Sequence, residues 1–72
     1  MESFRAKLIA TTNEKMKKYE DEIRECYIDN VLLMIKDNGH YIRTSTIEEV
    51  KEENNLIHVK TLNSVYTLER VD

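Results

Sequence analysis

A chain of 72 residues makes one domain, because so short a sequence cannot be divided into two separately folded cores. Charged side chains make up 35% of it, yet the net charge is only −3, so there is no broad basic field and affinity for duplex DNA is expected to be weak and nonspecific. The single Cys26 forms no internal disulfide, and with His40 and His58 it lacks the paired spacing of a zinc site, which leaves association with another chain as the favoured support for a small core.

Residues 4–26 contain no proline or glycine and are rich in Glu, Lys, Ala, Leu and Met, all good helix formers. Ile9, Thr12, Met16, Tyr19, Ile23 and Cys26 fall at alternating spacings of three and four, which is one apolar stripe on a helix, widened near its start by Phe4 and Leu8. The pairs Glu14/Lys18 and Glu20/Arg24 would brace such a helix at four-residue spacing. Thr11, Thr12 and Asn13 are poor in a helix interior, and Thr11 with Glu14 has the form of a capping box. The segment therefore reads either as one unbroken helix or as a helix that restarts near Thr11, with 4–10 forming a separate turn or an added strand.

After Tyr27 the pattern changes to short runs of Val, Ile, Leu, Thr and Tyr separated by asparagines, which predicts strands over roughly 28–36, 41–51, 56–62 and 65–71. Two-residue turns at Asn38-Gly39, Asn54-Asn55 and Asn63-Ser64 set a register in which Ile35 faces Ile42, Val50 faces Val59, Val59 faces Leu68, Thr61 faces Tyr66 and His58 faces Glu69. That register places Val50, Val59 and Leu68 in one core row. Ile47 and Val50, three apart, require a bulge or bend between them to reach the same side. Leu56, Leu62, Val65 and Val71 then point to the opposite face and need a second cover. The expected fold class is α+β: an amphipathic helix over 1–26, then a four-stranded antiparallel meander over 27–72 that a bent second strand could curl into a small barrel.

Chemistry-bearing residues are sparse. Cys26 reads as a small buried hydrophobe, His40 as a solvated turn residue, and Glu48, Glu49, Glu52 and Glu53 as a solvated strand and turn without the loop spacing of a calcium site. Gly39 is the only glycine, so there is no glycine-rich phosphate loop, and no serine lies in a nucleophile elbow. No cofactor, metal or catalytic residue is expected, and the chain reads as no enzyme. The apolar stripe of Ile9, Met16, Tyr19 and Ile23 is the expected self-association surface, most simply of a homodimer. Tyr41, Arg43, Lys60 and Tyr66 form the candidate partner surface, for a protein or, through stacking and charge, a single-stranded nucleic acid.

The longest apolar run, Val31–Ile35, is far shorter than the roughly 20 residues that span a bilayer, and the N-terminus lacks the basic-then-apolar order of a signal peptide. A cytoplasmic protein without a membrane segment is expected.

Two resemblances bear on function. One helix followed by a bent antiparallel meander resembles the Sm-like fold, whose members form rings and bind single-stranded RNA. The glycine which that family commonly has in its second strand has no counterpart among Arg43, Thr44, Ser45 and Thr46, so no binding residue is carried over. The stretch RTSTIEEVKEENNLIHVKTLNSVYTLERV, residues 43–71, is similar to small uncharacterised proteins of low-GC Gram-positive bacteria and their phages. That similarity implies no known activity of its own, and it opens the reading of a phage-encoded, non-enzymatic module that acts in the host cytoplasm by binding a protein and modulating or inhibiting it.

Overall fold

The computed structural model describes residues 3–71. Its strands are β1 (Ser3–Thr11), β2 (Ile23–Ile28), β3 (Val31–Ile35), β4 (Tyr41–Glu53), β5 (Leu56–Thr61) and β6 (Val65–Arg70), with one 3₁₀ helix, Glu14–Tyr19, between β1 and β2. All six strands run antiparallel in one sheet that closes into a small ring, β1 pairing with both β2 and β6. This corrects the α+β expectation: the chain is nearly all β, and no amphipathic helix precedes the sheet.

The physical reason lies in the spacing. Phe4 and Leu8 are four apart, which is one turn of helix but equally two steps of strand alternation, and Ala6 between them completes the strand reading. Phe4, Ala6 and Leu8 point inward and are buried, as are Arg24 and Cys26 on β2. Helix propensity over 4–26 is a weak prior, and the ladders on both sides of β1 override it. The break sensed at Thr11 is real. A bulge between Leu8 and Ala10 turns Thr11 inward, and Asn13 rather than Thr11 caps the 3₁₀ helix, its side chain accepting from the Lys15 amide at 3.0 Å. Glu14 pairs with Lys17, and Arg24 with Glu22, in place of the helical partners.

Register was legible in part. Val50 does face Val59 and Glu49 faces Lys60, with Asn54 taking a left-handed φ of 57° in the turn. A bulge interrupts β4 between Ile47 and Glu49, at the predicted bend. The β3–β4 turn, however, holds three residues rather than two. Lys36 donates to the His40 carbonyl and accepts from the Gly39 amide, with Gly39 at φ 88°, so Ile42 faces Met34 instead of Ile35. The β5–β6 register is shifted by two, because Thr61 brackets the turn with Ser64: Val59 faces Tyr66 and Ile57 faces Leu68. A shift of two keeps each side chain on its face, so Val59 and Leu68 stay buried. Val50, by contrast, is 42% exposed and does not join them in a core row.

The interior is filled by Phe4, Ala6, Leu8, Cys26, Leu32, Met34, Ile57, Val59, Tyr66 and Leu68. The 3₁₀ helix lays Met16 and Tyr19 against one end of this core. At the opposite end the Arg70 guanidinium lies 4.6 Å from the Phe4 ring centroid and pairs with Glu52 at 3.2 Å. The second apolar set, Leu56, Leu62, Val65 and Val71, faces outward, with Leu62 and Val71 exposed.

Candidate functional site

The self-association residues do not share a helix face. Ile9 is half-buried on β1, Met16 and Tyr19 pack on the core from the 3₁₀ helix, and Ile23 is exposed at the start of β2. The candidate partner surface is also dispersed. Tyr41 and Arg43 are exposed on β4, and Lys60 sits on β5 facing Glu49. Tyr66 is 2% exposed, its hydroxyl accepting from Asn13 Nδ2 at 3.2 Å, which removes its ring from any stacking surface.

What the structure assembles instead is an outward apolar face on β2 and β3. In β3 Leu32 and Met34 point into the core, so Val31, Leu33 and Ile35 must point out, and all three are half-buried. With Tyr27 and Asp29 they line a shallow groove of about 320 Å³. Across the ladder, Tyr27, Leu33 and Arg43 form one row and Glu25, Ile35 and Tyr41 the next. The apolar stripe therefore has an acid on its β2 flank and a base on its β4 flank. The sequence signal was the unbroken run Val31–Ile35, the pattern of a strand covered on both faces.

A second feature was not foreseen. Arg24 points into one end of the ring and is 2% exposed. Its Nη2 pairs with the Glu22 carboxylate, whose other oxygen takes Lys36 Nζ at 3.2 Å, and its guanidinium lies 5.0 Å from the Tyr19 ring centroid. The Arg24 Nε is buried without a partner. The hydrogen bond from Lys36, with the charges of Lys36 and Arg24, holds the Glu22 carboxyl below its ordinary range against the opposing effect of burial. Beside Arg24 is a cavity of about 320 Å³ lined by Tyr19, Arg24, Gly39, His40, Tyr41 and Ile42.

Cys26 is fully buried, with its thiol 3.6 Å from the Arg24 carbonyl. His58 faces Thr67, Nδ1 lying 3.3 Å from its hydroxyl, rather than Glu69. Glu52 is the acidic-cluster residue tied to Arg70, and among the described residues no three His, Cys, Asp or Glu side chains gather as a metal site. Among the described residues no helix is long and apolar enough to cross a membrane. No protein-family model, curated protein or solved structure matches this chain. The helix that carried the Sm-like resemblance is absent, its place taken by β1 and the 3₁₀ helix.

Proposed function

We propose that this chain is a self-associating protein-interaction module rather than an enzyme, which acts by covering the surface of a protein partner and so modulating it. The observation that carries this reading is the outward stripe of Val31, Leu33 and Ile35 on a strand whose inner side already fills the core. A half-buried apolar groove of this kind marks an interaction surface more often than an isolated exposed side chain does.

The occupant of that groove is a second copy of the chain. A two-fold axis along β3 lays β2 of one copy over β4 of the other, so Glu25 lies over Tyr41, one row from Arg43, at two symmetry-related places while the Leu33 side chains meet in the middle. A standard interface takes about 800 Å² from each partner, roughly a sixth of the 4801 Å² this chain exposes. Sedimentation velocity over a wide concentration range tests the idea. Wild-type protein should sediment as a dimer, Leu33→Glu as a folded monomer, and Glu25→Arg combined with Arg43→Glu as a dimer again. A wild-type protein that stays monomeric into the millimolar range would overturn it.

A further inference from the structure

We propose that the cavity between the 3₁₀ helix and the β3–β4 turn binds a small oxyanion joined to a planar ring, a nucleoside monophosphate being the class that fits best. Its volume of about 320 Å³ lies at the small end of the range for small-molecule sites, about 300–1,000 Å³. A bare inorganic ion would leave most of that space empty.

The charge argument rests on Arg24. Burying a guanidinium is costly unless its charge and its donors are matched, and here the matching is incomplete. Glu22 is shared with Lys36, so two cations face one carboxylate, and Arg24 Nε has no partner. Lys18 adds a further cation nearby, its Nζ 5.3 Å from the Tyr19 ring centroid. The pull on an anion is therefore local to Arg24 and Lys36, since Glu20, Asp21 and Asp37 in the flanking segments leave no broader basic field at this end of the ring. An oxyanion in the cavity would supply the missing charge and meet the planar guanidinium, whose fork suits carboxylate and phosphate oxygens.

The ring argument rests on Tyr41. Tyr19 already carries Arg24 against its ring, whereas Tyr41 is 67% exposed at the cavity wall and can take a base or another flat ring on its face. His40 beside it offers an imidazole nitrogen to a ribose hydroxyl or a phosphate oxygen.

The test is a titration of isotope-labelled protein, followed by amide and side-chain NMR shifts, with uridine monophosphate, uridine, inorganic phosphate and benzoate. Uridine monophosphate should saturate shifts at 39–42, Tyr19 and Arg24, with uridine and phosphate each weaker by about tenfold or more, the loss expected when one stack or one charge contact is missing. Binding of benzoate in place of the nucleotide would keep the oxyanion-on-ring chemistry and assign its source to aromatic acids. Arg24→Met should abolish binding. Because that variant could fail to fold, Tyr41→Ala and His40→Ala at exposed positions provide a second reading, each weakening the affinity with an unchanged melting temperature. Leu33→Glu lies outside the cavity lining and frees Tyr41, which the proposed dimer would flank, so it should bind at least as well as wild type, and failure of the self-association reading is thereby told apart from failure of this one. No saturable shift with any probe, shifts confined to other residues, or undiminished binding in Tyr41→Ala would overturn the proposal, as would affinity for a single-stranded oligonucleotide without affinity for the monophosphate.

Discussion

Glu22 and Arg24, two residues apart where β2 begins, form an ion pair in which the cation is almost fully buried while the carboxylate stays partly exposed. The asymmetry makes the two partners unequal. Removing the acid strands a buried positive charge, whereas removing the base leaves only a surface carboxylate that Lys36 still holds. Glu22→Gln should therefore lower the melting temperature more than Arg24→Met does. The opposite order, measured by circular dichroism, would mean that packing of the Arg24 stem against Tyr19 matters more than its charge.

The same carboxylate makes stability depend on pH. Its folded pKa lies below the ordinary value of 4.5, so its contribution is complete above that value and is lost as the pH falls through the lowered one. Lys36→Met removes the largest cause of the lowering. An NMR titration should then find the Glu22 carboxyl closer to its ordinary value, and the loss of stability on the acid side should begin from a lower plateau. An unchanged titration would reject the Lys36 assignment.

Leu32 and Val50 separate the true core from the one the turns suggested. Leu32 is fully buried, so Leu32→Ala should cost about 2–5 kcal/mol in denaturant unfolding. Val50 is 42% exposed, and Val50→Ala should cost about 0.5 kcal/mol or less. Equal costs at the two positions would reinstate Val50 as a core residue.

Gly39 tests the three-residue turn. A Cβ there would meet nothing within 4 Å, so any loss comes from the backbone at φ 88° and not from crowding. Gly39→Ala should destabilise by about 1 kcal/mol, and Gly39→Asn by less, since Asn tolerates the left-handed region better. A neutral Gly39→Ala would mean that Gly39 does not take the left-handed backbone that closes this turn.

Some of this architecture was readable from the residues alone, wherever a local rule had one solution. The β4–β5 hairpin is the clearest case, because Asn54 adopts positive φ readily and a two-residue turn there sets Val50 opposite Val59 with Val59 inside. The bend in β4 was equally local, since Ile47 and Val50 cannot share a face of an unbroken strand. The β3–β4 and β5–β6 turns were recognisable as turns, but the length of the first and the position of the second, one residue earlier, are decided by the hydrogen bonds of Lys36 and Thr61. The acidic residues around 48–53 and the buried Cys26 also sat where their chemistry suggested.

The first 26 residues show what sequence could not decide. Phe4, Ala6 and Leu8 satisfy strand alternation, while Ile9, Met16, Tyr19 and Ile23 satisfy a helical period, and local propensity favours the helix. The sheet resolves the ambiguity from a distance: with β2–β6 in place, the outer edges of β2 and β6 leave two rows of backbone donors and acceptors open, and β1, paired to both, closes them while burying Phe4, Ala6 and Leu8. That choice also creates both candidate sites. Turning 23–28 into a strand sends Arg24 into the interior beside Tyr19, and inserting β2 next to β3 leaves the outer sides of Val31, Leu33 and Ile35 without cover. The residues of β3 announced their apolar character in the sequence, but which of their two faces would meet the core and which would meet solvent depended on ring closure, a long-range constraint that no short window of sequence contains.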